Sequence, residues 1–314
     1  VTQSGGEGYD LILTSDYSLD ILRQAGLLQE LDKSLLPNYE NLNPLYLNQY
    51  FDPDNQYVIP YVAGCPLIVY DPERASFEIT GYEDLWNESL TDSVACLEQY
   101  RVLIGVTLKT LGYSMNETDP DILAQAKEKL MPLYKNIRTF GDMEAYAAMQ
   151  SGEASVGFLF TPFASLIMQE FPQYKLVYPK EGLGFGIDGF VLTAASQNAE
   201  NAHAFLNYLM DAKVAAHDAE YQAYMCVNKA AEAELSDDYW TNPAYNPPEE
   251  MLKSAADTAK LHPDIVKIHL MHVLNGTVLG EMYERGEYSP MEREEYVGIV
   301  CDQLEILPPD TVIG

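Results

Sequence analysis

The stretch Tyr9-Asp10-Leu11-Ile12-Leu13-Thr14-Ser15-Asp16-Tyr17-Ser18 carries the first decision about this chain. Residues Tyr9 to Thr14 form a short, largely apolar run and read as a strand. Ser15 to Ser18 then turn into a helix-like segment with Leu19, Leu22 and Ala25 on one face, and Gly26 stops it. A strand that empties into a polar turn ahead of a helix presents polar side chains at its C-terminal end, where α/β sheets bind ligands. Ser and Asp are also preferred helix caps, so the same residues have a purely local reading.

Strand and helix signals alternate outward from this unit. Residues 37–55, rich in Asn, Pro, Tyr and Asp, read as a surface loop. Two extended runs follow, Tyr57–Tyr61 and Leu67–Tyr70, split by Ala63-Gly64-Cys65-Pro66. That break suits either a bulge or a crossing between domains. Next come a strand at Val94–Leu97, a helix ending at Gly112, and a helix opened by Asp119-Pro120 with Ile122, Leu123, Ala126, Leu130 and Leu133 as its buried stripe. Asp142 is positioned to cap a helix ending near Gly152. Strands at Ser155–Phe160 and Leu176–Tyr178, a helix from Pro162, a strand at Phe190–Leu192 and two helices from about Asn198 to Tyr224 complete the pattern. The alternation predicts an α/β fold with parallel sheets. Beyond about residue 232 the chain turns helical and loop-rich.

Composition bounds the function. The 314 residues are 47% hydrophobic, enough for one large core or two smaller ones. Acidic residues number 48 against 18 basic ones, a formal charge of −30. Such a chain is repelled by phosphate backbones and anionic head groups, so nucleic acid and bare membrane are poor partners. The charge permits a cationic ligand, although dispersed carboxylates also serve solubility. No apolar run approaches the roughly 18 residues of a membrane span, and Val1-Thr2-Gln3-Ser4-Gly5-Gly6 has no signal-peptide pattern. Cys65, Cys96, Cys226 and Cys301 are widely spaced, lack a Cys-x-x-Cys pair, and are expected as free, mostly buried thiols.

The order of these segments resembles the bacterial polyamine-binding proteins that deliver spermidine or putrescine to ABC transporters. The resemblance runs over about residues 8–235. It rests on Tyr9-Asp10-Leu11 through Tyr17, Gly26-Leu27-Leu28-Gln29 with Leu31-Asp32-Lys33-Ser34, and Phe51–Asn55 with Ile59-Pro60-Tyr61. Leu111-Gly112-Tyr113-Ser114 with Thr118-Asp119-Pro120, Pro179-Lys180-Glu181-Gly182, and Ala202 through Leu209 extend it. It implies a two-lobed α/β fold of the periplasmic-binding-protein type with a ligand cleft between lobes that close by a hinge. One lobe would hold residues 1–64 and 187–232, the other 65–186 and 233–314. Family members open with a strand–helix–strand unit of roughly 30 residues or more, so the resemblance implies a first lobe incomplete at its front, unless C-terminal residues complete its sheet.

Carried over residue by residue, Ser15, Tyr17, Asp188 and Tyr224 match pocket positions of that family, with Asp16 adjacent. The family cages aliphatic amines between aromatic faces and carboxylates. Here the expected carboxylate pair falls on Gln99 and Val102. Expected aromatics fall on Ala63 and Gly186, a third has become Phe160, and Arg101 is retained beside the missing acids. The resemblance therefore implies an exported receptor of an ABC importer, in the periplasm or at the extracellular face, with or without a lipid anchor, monomeric, and partnered by a permease. Its ligand set would be Ser15, Asp16, Tyr17, Gln99, Arg101, Phe160, Asp188 and Tyr224. The solute would be a polyamine or another amine, or an amino-acid-like carboxylate if Arg101 faces the cleft. A sensory or interaction module on the same scaffold is the rival.

Each candidate has a bland reading. Asp188, between Gly186 and Gly189, could be a turn aspartate bonding local backbone, and Tyr224 and Phe160 could be core aromatics. Gly182-x-Gly184-x-Gly186 precedes a strand instead of joining strand to helix, so it is no phosphate loop. His269 and His272, with His262 upstream, share a helical face but have no third or fourth ligand, and no metal or cofactor is expected. Neither a Gly-x-Ser-x-Gly elbow nor a Cys–His arrangement supports an enzyme.

Overall fold

The computed structural model describes residues 6–245, together with 265–266 and 312–313. The opening unit forms as its sequence dictates: strand β1 (Leu11–Ser15) feeds helix α1 (Asp16–Gln24). Leu19 and Leu22 of α1 are buried and Ala25 is exposed beyond the helix end. Gly26, at φ +67°, takes the left-handed conformation that ends the helix. The loop after it is built from short 3₁₀ turns (Lys33–Leu35, Pro37–Asn41 and Pro44–Tyr46).

The remaining chain alternates as expected. Strands β2 (Val58–Gly64), β3 (Pro66–Tyr70) and β4 (Val94–Cys96) precede helices α2 (Tyr100–Thr110) and α3 (Pro120–Leu133). Then come β5 (Ile137–Phe140), α4 (Asp142–Gln150), β6 (Val156–Phe160), α5 (Thr161–Glu170) and β7 (Lys175–Val177). Strand β8 (Gly186–Leu192), helices α6 (Ala199–Leu209) and α7 (Ala212–Gln222), strand β9 (Met225–Cys226) and helix α8 (Asp237–Thr241) follow. Asp119 caps α3 by accepting the amides of Asp121 and Ile122.

Two larger sheets result. One has the order β1-β8-β2-β9, the other β5-β4-β6-β3-β7. Within these two sheets parallel pairing, expected throughout, is confined to β5-β4-β6; every neighbour pair in the first sheet is antiparallel, as are β6-β3 and β3-β7. The reason is the route of the chain. It leaves the first sheet at Gly64, passes through Cys65 into the second, and re-enters through Gly186, which pairs with Gly64. A chain that returns at the end from which it departed must run antiparallel. The Ala63–Pro66 break is this crossing, fastened by Thr161, whose hydroxyl accepts the Cys65 amide at 2.9 Å.

Period-two alternation then divides the core. Val58 and Val191 face α1, while Ile59 and Phe190 belong to the cluster that holds Leu206 and Met210 beside α6. In the second sheet Leu67, Val69 and Leu159 face α4 and α5, whereas Ile68, Tyr70 and Phe158 face Tyr82, Leu85 and the α2–α3 side. The α1 face of one sheet and the α4–α5 face of the other share a single apolar cluster. Residues 236–245 make a further connection. Tyr239 packs with α7 residues, while Asn242 donates to the Ser165 carbonyl of α5 at 3.1 Å and Tyr178 donates to the Pro243 carbonyl. His262, His269, His272 and Cys301 lie outside the described residues. Cys65 and Cys96 are buried, Cys226 is half-buried, and all three are free.

Candidate ligand site

The crossing brings the opening motif against the middle of the chain. Antiparallel pairing sets Ser15 opposite Asp188, with Val62 on the other side of Asp188. Asp188 lies inside β8, not in a turn before it, which removes the local-turn reading. Ser15 holds the N-cap position of α1, yet its side chain makes no capping hydrogen bond, so its hydroxyl is not spent on the helix. Asp16 is half-buried and accepts the Tyr17 amide at 2.6 Å. Burial lifts its carboxyl above the usual range and the charge of Asp188 adds to this. The amides of Tyr17 and Ile187 and the Arg101 cation oppose the rise.

Arg101 reaches this group from the second sheet's side. It stands in the first turn of α2 with its guanidinium 4.8 Å from the centroid of the Tyr17 ring. Gln99 is the N-cap of that helix, and its side-chain oxygen accepts the Arg101 amide at 3.3 Å. Gln99 is therefore committed to the helix end.

Tyr224 precedes β9 and packs its ring over Gly64, where an added Cβ would come within 3.2 Å of it. Its backbone is pinned by Tyr239, whose hydroxyl donates to the Tyr224 carbonyl at 3.1 Å and accepts the Cys226 amide at 2.8 Å. Burial pushes the Tyr224 phenol up to about 12, with Asp188 and then Asp142 contributing. Phe160 ends β6 opposite Pro66 and packs against the second sheet's core, so much of its ring is structural.

Two exposed residues that sequence reasoning left elsewhere lie within electrostatic reach of the site. Tyr50, read as part of a surface loop, is 59% exposed overall, yet its phenol is raised by local desolvation and then by Asp16, with Arg101 opposing. Asp142, read as a cap, is the first residue of α4 instead. Gly141 at φ +116° is the N-cap, and among the described residues the Asp142 carboxylate has no hydrogen-bond partner. Its pKa is raised by burial first and by Glu144 and Glu98 after it. Neither placement had a local signal, because both depend on contacts remote in sequence. Ala63, at an expected aromatic position, is 1% exposed within β2.

The arrangement gathers carboxylates and aromatic rings from both sides of the crossing. Buried Cys65 and Cys96, with thiols pushed up to about 12 by burial, are unsuited to nucleophilic work. Among the described residues no group of His, Cys, Asp and Glu could hold a metal, and no helix is long and apolar enough to cross a membrane.

Comparison with known proteins shows the family. Residues 2–247 match the profile of the bacterial extracellular solute-binding proteins, and residues 263–314 match that of a radical SAM C-terminal domain. The chain is 34% identical over 233 residues to a spermidine/putrescine-binding periplasmic protein of Salmonella typhimurium, covering 73% of this chain and 66% of the relative, just short of two thirds of its length. A spermidine/putrescine ABC transporter substrate-binding protein from Streptococcus pneumoniae superposes with a TM-score of 0.70 at 30% identity, covering 80% of this chain and 78% of that one. A putative spermidine/putrescine ABC transporter from Listeria monocytogenes gives 0.74 at 27%, covering 83% and 85%. With its crossed two-sheet fold and a family match spanning residues 2–247, this chain belongs to the bacterial extracellular solute-binding protein family.

Proposed function

We propose that this protein is the solute receptor of an ABC importer, working as an exported monomer in the periplasm or at the extracellular face, where it hands a small amine-bearing solute to a permease. The two sheets would be the centres of lobes divided at residues 64 and 187, closing on the solute about the crossings at Cys65 and Gly186. Asp188 neutralises the ammonium, Ser15 and Asp16 bond polar groups, and Tyr17, Tyr224 and Phe160 supply walls. Binding and release are the whole of the proposed activity.

One observation carries the reading: Ser15, Asp16, Asp188, Tyr17 and Tyr224 converge where the chain crosses between sheets, with the Ser15 hydroxyl free of its expected capping duty. The relatives named above bind polyamines by name. The test is thermal unfolding of the intact-length protein with polyamines, amino acids and small cations. A ligand at 100-fold its Kd adds about 2.7 kcal/mol, a rise in Tm of about 5 °C or more. No shift with any member of the panel would reject the receptor and leave the interaction-module reading, which the Gln99, Val102, Ala63 and Gly186 positions favour.

A further inference from the structure

We infer that Arg101 is a tethered cation that gives the cleft two ends of opposite sign, so that the solute carries one ammonium and, at its far end, a carboxylate. The inference rests on the amine-receptor reading and narrows it. The Tyr17 ring face, where an ammonium of the solute would stack, already carries the guanidinium of Arg101 at 4.8 Å. Because α2 holds that cation in place, it occupies the face at a local concentration no diffusing amine can match. A second ammonium brought there would meet a like charge. Among the described residues the guanidinium makes no hydrogen bond or ion pair, although its own backbone amide is taken by Gln99. Its planar fork is thus uncommitted, and a carboxylate is the group it fits in two parallel hydrogen bonds.

The other end differs. Tyr224 has Asp188 and Asp142 as its charged neighbours, and Tyr50 has Asp16, Arg101 and Asp20. Asp16 lies between, sensing both Asp188 and Arg101. Asp188, set opposite Ser15 by strand pairing, makes one end anionic and takes the ammonium, while the Arg101 guanidinium over the Tyr17 ring presents donors at the other. A plain α,ω-diamine satisfies the first end and is repelled at the second.

The experiment is calorimetric titration of the intact protein and of Arg101→Gln with three matched series of three to six carbons: α,ω-diamines, ω-amino acids and n-alkylamines. The wild type is expected to bind its best ω-amino acid at least tenfold more tightly than the diamine of equal length. Arg101→Gln should lose that preference at least tenfold while its hold on the diamine is kept or improved, and Arg101→Lys should keep part of it. A wild type that prefers diamines, or a Gln variant that weakens both series equally, overturns the inference and leaves the amine receptor standing. No binding in any series overturns the receptor reading and the inference with it. The wild-type comparison decides even if a variant fails to fold.

Discussion

Asp52 offers the sharpest test of how the fold holds the site in register. Its side chain is 3% exposed and accepts three backbone amides: Gln56 at 2.9 Å through Oδ1, and Tyr57 and Val58 at 2.8 Å each through Oδ2. Val58 is the first residue of β2, whose pairing with β8 places Asp188, and Tyr50 stands two residues upstream of the carboxylate. Asp52→Ala leaves all three donors without an acceptor. A hydrogen bond to a charged group contributes about 1.5–3 kcal/mol. Water reaches the amides of exposed Gln56 and half-buried Tyr57, so the full loss falls on buried Val58, and the sum is about 3–5 kcal/mol. At about 2–4 °C per kcal/mol for a body of this size, Tm should fall by about 6–20 °C. Asp52→Asn can keep two amides on its carbonyl but turns its NH2 toward the third, and about 2 kcal/mol is expected. Urea unfolding followed by circular dichroism measures both. An Ala variant within about 1 kcal/mol of wild type would refute the claim that this carboxylate anchors the loop to β2.

Three further outcomes follow from the site. The folded-state pKa of Asp16 is raised above 3.8 by burial, so folded protein holds its proton to higher pH than unfolded chain. Its contribution to stability therefore declines as pH rises from the ordinary value through the raised one. Asp16→Asn should flatten that decline in pH-dependent melts and weaken amine binding; a steeper decline would contradict the assignment. Cys65 and Cys96, pushed up to about 12, and Cys226, to about 11, should resist thiol reagents at pH 8 until denaturant is added. Labelling of all three in the native state would refute their placement. At Gly64 an added Cβ meets the Tyr224 ring at 3.2 Å, so Gly64→Val should displace the ring and cut solute affinity at least tenfold, as calorimetry would show. Unchanged affinity would remove Tyr224 from the site.

Local features of this fold were legible in the sequence, and non-local ones were not. Strand and helix positions follow from apolar periodicity, and Gly26, Asp119-Pro120 and Gly64-Cys65-Pro66 punctuate the chain where the structure turns, caps and crosses. Strand direction was hidden, because it depends on which end of the sheet the chain re-enters, a property of the path through Cys65 and Gly186. For Asp188 the sequence left a turn open beside the ligand reading, because flanking Gly186 and Gly189 carry a loop signal that sheet pairing overrides. Asp142 looked like a cap because Asp is a good one, but the helix begins at Asp142 itself and leaves Gly141 as the N-cap. Tyr50 was lost in a run of loop residues, because its electrostatic coupling to Asp16 and Arg101 is remote in sequence. The family's pocket positions led to Ser15, Tyr17 and Asp188, and the pairing of β1 with β8 explains why residues so remote in sequence meet.

The most direct test of the central claim is the affinity of an amine solute for wild type against Asp188→Asn, measured by calorimetry on the intact protein. Truncating one partner of a desolvated charge pair costs at least about 2 kcal/mol, so saturable one-to-one binding should weaken about thirtyfold or more. Equal affinity in both proteins would contradict the account.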